Sequence, residues 1–360
     1  MTIHPRDLPV PFDPDAPAVG DGVYGLPHTP EEAAVVLVPV PWEATVSYGA
    51  GTANGPAAIL AASRQVDLFD RETGRPYERG IAMLEIPEEV RGWSDAARDA
   101  ATAVIEVGGL DVVSSGDPKV ARLRSDLEHR VSKVDALGVR MNDWVESTVE
   151  HWLDQGRLVG VVGGDHAVPF GAIRAHARRH PGLGILHLDA HCDLRDAYEG
   201  FRWSHASIFH NVCEQIDGVG KLVQVAIRDY GSREDAYVNA SKGRIEVFFD
   251  ADIKRRQQDG ETWTALVKEI VARLPRDVYL SFDIDGLDPV LCPHTGTPVP
   301  GGLSFAETVS LVRHVAESGR RIVGFDLCEV APDPAGVSEW DANVAARLLY
   351  KMIGFALRSI

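Results

Sequence analysis

Cysteine is scarce in this sequence. Its four residues, Cys192, Cys213, Cys292 and Cys328, form no CxxC pair. A disulfide framework is therefore excluded, and free thiols in a reducing compartment are expected. Basic residues are also short, with 36 Lys plus Arg against 53 Asp plus Glu and a net charge of −17. No nucleic-acid partner is expected, because phosphate binding needs a basic surface, whereas an acidic field favours the approach of a small cation. Long apolar runs are missing: nothing approaches the ~18 continuous residues of a membrane span, and MTIHPRDLPVPFDPDAPAV has no basic start followed by an apolar core. The reading is a cytoplasmic protein with no membrane partner. Phosphate-cradling fingerprints are absent too, since Gly49-Ala50-Gly51-Thr52-Ala53-Asn54-Gly55 is glycine-rich but carries no Lys.

What is present is the profile of a globular enzyme, 360 residues of which 45% are apolar and 25% charged. Residues 1–33 hold seven prolines and little periodicity, and are expected to form an irregular arm on the surface or on a neighbouring subunit. Residues 34–360 then read as a single catalytic domain. Short β-branched runs at 35–40, 158–162, 184–188, 222–227, 245–249, 278–282 and 322–327, with a weaker one at 81–86, suit strands buried on both faces. Helical stretches fit between them at 55–66, 139–155, 169–180, 262–274, 304–318 and 338–357. The last of these opens on Ser338-Glu339-Trp340-Asp341, which has the form of a capping box. The polar segment 108–138 reads as an insertion packed outside the main layers. Sustained alternation of this kind predicts a three-layer α/β/α fold around a mainly parallel eight-stranded sheet.

In open α/β sheets the ligand site lies beyond the carboxyl ends of the strands. Three of those ends carry metal-ligand residue types: Gly163-Gly164-Asp165-His166, then Asp189-Ala190-His191-Cys192-Asp193, then Asp283-Ile284-Asp285-Gly286-Leu287-Asp288-Pro289. Alternate residues of an extended segment share a face, so several of these side chains can converge. Two histidines and four aspartates bring together four negative charges, which two divalent cations balance. The oxygen-rich donor set suits Mn²⁺, with Ni²⁺, Co²⁺ or Fe²⁺ as further options and thiolate-rich zinc disfavoured. Such a pair lowers the pKa of a shared water, and hydrolysis follows as the reaction class.

The three motifs, GGDH, DAHCD and SFDIDGLDP, in this order, resemble the ureohydrolase family of arginases and agmatinases. The resemblance implies an arginase-like fold, two metal ions (Mn²⁺ or Ni²⁺), and cleavage of a guanidino C–N bond by a metal-bridging hydroxide, giving urea plus ammonia or an amine. It makes His166 and Asp193 ligands of one ion and His191 and Asp285 ligands of the other. Asp189 and Asp283 become bridges, and Asp285 also holds the hydroxide. Asp165 and Asp288 read as supporting or turn residues. In Trp203-Ser204-His205-Ala206-Ser207, His205 matches the family's mobile histidine and becomes the proton shuttle. Glu329 matches the carboxylate that pairs with the guanidinium. A homotrimer or homohexamer is implied as well.

The loop after the second motif, Leu194-Arg195-Asp196-Ala197-Tyr198-Glu199, lacks the Asn and Ser contacts typical of arginases, so arginine is not the expected substrate. Segments 39–48, 203–207, 227–230 and 294–302 together look closest to the guanidine hydrolase branch. That points to guanidine or a short substituted guanidine, with Trp42, Trp203 or Trp340 shortening the pocket. The competing readings are agmatine, a guanidino acid (guanidinobutyrate or guanidinopropionate) or formiminoglutamate as substrate, and, in another class, a non-catalytic partner of an active paralogue.

Overall fold

The computed structural model describes residues 12–18, 20–112 and 118–360. Eight strands occur among them: β1 (Val35–Val40), β2 (Ile81–Met83), β3 (Leu158–Gly163), β4 (Leu183–Leu188), β5 (Val219–Ile227), β6 (Ile245–Phe249), β7 (Asp277–Asp283) and β8 (Arg321–Cys328). They form one sheet in the order β2-β1-β3-β8-β7-β4-β5-β6, and every pair is parallel. The expected runs survive with small extensions, except that 81–86 contracts to a three-residue edge strand.

Parallel strands need crossovers, supplied here by α1 (Gly55–Ser63), α2 (Glu88–Glu106), α3 (Pro118–Asp154), α4 (Phe170–Arg179), α5 (Ile208–Gln215), α6 (Ser232–Ala240), α7 (Asp250–Gln258), α8 (Trp263–Ala272), α9 (Phe305–Glu317) and α10 (Trp340–Ser359). Strand residues alternate between two cores. Val35 and Leu37 face α1, α8, α9 and α10, while Val36 and Val38 face α2, α3, α4 and α5. That is the three-layer α/β/α fold, with an all-parallel sheet. No helix among the described residues is long and apolar enough to cross a membrane.

Several local expectations are corrected. Helix α3 starts at Pro118 rather than 139, and Leu127, Val131, Val134, Met141 and Val145 form its buried stripe. Most of the supposed outer insertion is thus a core helix, whose surface charges hide the apolar periodicity; its residues 113–117 lie outside the described set. Helix α2 escapes notice because its buried face is largely Ala97, Ala100 and Ala101, and α5, α6 and α7 because each has only eight or nine residues. No capping box opens α10: its N-cap is Glu339, without a side-chain cap bond, and the Asp341 carboxylate is taken by the backbone N–H and Nδ1 of His294, at 2.9 and 2.8 Å. A complete box opens α9 instead, between Ser304 and Glu307. In the described part of the arm, Val23, Tyr24 and Leu26 are buried, and the Tyr24 hydroxyl donates to the Ala346 carbonyl at 3.0 Å.

Candidate metal centre

Strands β3, β8, β7 and β4 are consecutive in the sheet, so their carboxyl ends open onto one place. After β3 the chain turns at Gly164, where a Cβ would lie 1.8 Å from the Trp42 carbonyl oxygen, and only glycine fits. The turn presents His166. The preceding Asp165 is spent on structure, accepting from the backbone N–H groups of Ala44 (3.0 Å) and Ala167 (3.1 Å). Asp288 similarly accepts from Val290 N in its own turn.

His166 is the hub of the cluster. Its Nδ1 lies 3.1 Å from Asp189 Oδ2 and 3.4 Å from both Asp193 Oδ2 and Asp283 Oδ2. Nε2 points the other way, 3.0 Å from Ser281 Oγ, which donates to Asp326 Oδ1 at 3.0 Å. Asp189 spans two histidines, because its Oδ1 lies 3.3 Å from His191 Nδ1. His191 Nδ1 is also 3.1 Å from Asp285 Oδ2. The structure thus brings together all six residues singled out as metal ligands: His166, Asp189, His191, Asp193, Asp283 and Asp285. It adds a seventh polar group. His187, a strand histidine not counted among the expected ligands, has Nε2 2.8 Å from Asp189 Oδ2.

The electrostatics favour cations. All four aspartates are nearly or fully buried, and their ion-pair partners among the described residues are histidines alone. Burial pushes the Asp193 carboxyl up to about 7 and holds Asp283 well above the ordinary carboxylate range, with Asp285 and Asp189 adding to the latter. Asp189 stays low despite burial because three imidazoles surround it. Buried carboxylates short of positive charge, mixed with imidazoles, form a donor set that fits two divalent ions. The donor atoms of His166, His187, Asp189 and Asp193 lie within 4.8 Å of one another, as do those of Asp189, His191 and Asp285.

A cavity of about 260 Å³ opens onto this cluster, lined by His166, His191, Asp193, Asp283, His205 and Glu329 among others. Both residues expected to act on substrate therefore face it. Glu329 follows β8; its Oε1 accepts from His166 N at 2.9 Å, while Oε2 stands beside Gly296. Burial and the nearby Asp165 hold its carboxyl well above the usual range. Asp193 and Glu329 both take left-handed backbone, with φ of 54° and 61°. Such geometry costs energy in residues other than glycine and collects at functional sites. His205 begins a short 3-10 turn, with Nδ1 3.0 Å from Thr45 Oγ1, and burial lowers its pKa to about 3.

The tryptophan expectation fails. Trp42 is buried in the core, Trp203 packs edge-on against Phe170, and Trp340 bonds to the Val290 carbonyl on the surface; the aromatic rings lining the cavity are Tyr48 and Tyr198. Thr45, Ser281 and Asp326 had escaped the sequence reading. Ser281 carried a readable signal, since it precedes Asp283 by two and shares its face of β7.

Comparison with known proteins agrees with this geometry. The family model described as "Arginase family" matches residues 33–354. An N(1)-aminopropylagmatine ureohydrolase from Thermus thermophilus is 33% identical over 334 residues, covering 92% of this chain and 94% of its own. An agmatinase from Bacillus anthracis is 30% identical over 303 residues, covering 84% and 85%. In fold, the agmatine ureohydrolase of Thermoplasma volcanium superposes with a TM-score of 0.69 at 24% identity, covering 94% of each chain. The chain therefore belongs to the arginase family, whose centres hold paired divalent ions, and is a metal-dependent hydrolase of guanidino C–N bonds.

Proposed function

We propose that the chain hydrolyses a small guanidino compound, guanidine or a short substituted guanidine, to urea plus ammonia or an amine. The observation that carries this reading is the convergence of Glu329, His205 and six candidate ligands on a cavity of about 260 Å³, small beside the several hundred cubic ångströms of a drug-sized pocket. His166, Asp189, His191, Asp193, Asp283 and Asp285 would hold the two ions. A pair of Mn²⁺ or Ni²⁺ ions supplies Lewis acidity and a strongly acidified water at neutral pH.

The remaining work falls to the protein. Glu329 receives the planar guanidinium through charge-assisted hydrogen bonds and orients its carbon toward the attacking oxygen. Asp285 would accept a hydrogen bond from the attacking water. His205, neutral at pH 7, is anchored through Nδ1 by Thr45, which leaves Nε2 to take up a proton from solvent and pass it to the departing nitrogen.

A second reading, a guanidine with a cationic tail, draws support from Asp229, an exposed carboxylate lining the cavity. The names of the Thermus and Bacillus relatives point the same way. A cytoplasmic location and a homotrimeric or homohexameric assembly complete the proposal. Urea release measured on guanidine, methylguanidine, agmatine and 4-guanidinobutyrate separates the readings. Turnover of guanidine at the highest kcat/KM supports the first, preference for agmatine the second, and no urea from any of the four contradicts both.

A further inference from the structure

We infer that Arg228 is a positioning residue that sets one half of the metal centre, the half built on His191 and Asp285, and ties it to the wall of the substrate cavity. This rests on the two-ion reading above. Arg228 directly follows β5, whose last turn carries a bulge at Ala226, with φ of 76°. Its guanidinium spends its donors on backbone carbonyls. Nη2 donates to Asp285 O (2.7 Å), Leu287 O (3.2 Å) and Val299 O (2.9 Å), Nε to Val299 O (3.2 Å), and Nη1 to Ala226 O (3.1 Å).

Three separate segments are thereby stitched together: the end of β5, the turn after β7, and the loop that brings Val299 to the cavity. The backbone of the same residue adds a fourth, because Arg228 N donates to Ala190 O at 2.8 Å, and Ala190 N in turn donates to Asp285 Oδ1 at 3.0 Å. The backbone of Ala190, next to His191, and that of Asp285 are consequently bonded to one residue.

The chemistry of this arrangement is that of a template. A guanidinium at the acidic end of the sheet, forming no ion pair among those found for the described residues, is placed to fix carbonyl positions. A planar fork can serve several acceptors in fixed directions, whereas a lysine ammonium on a flexible stem cannot reproduce them. His166 and Asp193 receive none of these bonds. Loss of the fork should therefore weaken the two ion sites unequally, which general destabilisation would not do.

The test uses the full chain as purified wild type, Arg228→Lys and Arg228→Gln, loaded with Mn²⁺, then analysed for bound metal and titrated against a chromophoric chelator. Arg321→Lys serves as the control, since Arg321 pairs with Asp277 through two 2.7 Å bonds at the opposite ends of β7 and β8. The expected result is two ions in wild type and in Arg321→Lys. In the Arg228 variants one ion should keep its affinity and the other lose about 10–100-fold, with KM for the guanidino substrate raised. Arg228→Lys keeps the charge and most of the stem, so it remains readable if the Gln variant does not fold. Arg228→Lys holding both ions at wild-type affinity with an unchanged KM overturns the inference, and so does equal weakening of both sites. Wild type that takes up fewer than two ions instead overturns the two-ion reading on which it stands.

Discussion

Glu329, the proposed partner of the guanidinium, carries several costs in one residue. It sits at left-handed φ, buried, with its carboxyl raised by burial and one oxygen held by a backbone N–H, an arrangement that stability alone does not reward. On the proposed reading, a bound guanidinium relieves both the charge and the unfilled hydrogen bonding. Glu329→Gln should therefore lower kcat/KM by about 10–100-fold, corresponding to loss of a charged hydrogen bond of roughly 1.5–3 kcal/mol, with metal content unchanged; steady-state kinetics beside elemental analysis checks this. His205 belongs to the same scale, with a proposed role in moving protons. His205→Asn should cut kcat by about 10²–10⁴-fold while leaving both ions in place. Retention of wild-type kcat would remove the shuttle role. The six candidate ligands, which the structure brings together, could be picked out in the sequence because each lies at or just past the end of an apolar run. Thr45 was illegible, since a threonine in a loop carries no mark of the histidine it meets 160 positions later.

At the scale of elements, the site is the meeting of four strand ends with the loop that leads from β7 to α9. That loop is pinned by His294, whose backbone and ring both bond Asp341 in the first turn of α10, and by Thr295, whose hydroxyl donates to the Glu329 carbonyl at 2.8 Å. The Asp341 carboxylate, with Asp333 of the β8–α10 loop 3.6 Å from Nε2, raises the His294 pKa above its ordinary value. A raised histidine stabilises the fold fully below the unfolded pKa, and that contribution is lost as pH rises through the folded value. Urea midpoints of wild type should thus fall, relative to His294→Asn, as pH climbs above 6.5. Parallel curves for the two proteins would show that the clamp is not ionic. The motif order and the strand ends could be read from residues alone, but the adjacency of β8 to β3 could not, because strand order depends on crossover packing that no local pattern encodes. Asp326 was hidden for a related reason: a lone carboxylate within the apolar run of β8 looks like a strand defect until Ser281 and His166 are seen beside it.

For the whole molecule, buried acid without matching base means that folding and metal binding are coupled. Protein stripped by a chelator should unfold at lower temperature than the loaded form. Each ion at about 100 times its Kd adds roughly 2.7 kcal/mol, read as a higher Tm on addition of Mn²⁺; an unchanged Tm would mean that the carboxylate cluster needs no cation. The net charge of −17 acts at this scale too, drawing small cations toward a strand-end face already rich in carboxylates.

The proposed reaction requires two ions held by six side chains from three segments. The most direct measurement is Mn²⁺ stoichiometry together with urea release for wild type and Asp283→Asn, each before and after chelation. The predicted result is two ions per chain and activity in wild type, both lost on chelation and restored by Mn²⁺, with neither regained by Asp283→Asn. Full urea release by chelated wild type, or by Asp283→Asn without bound metal, would contradict it.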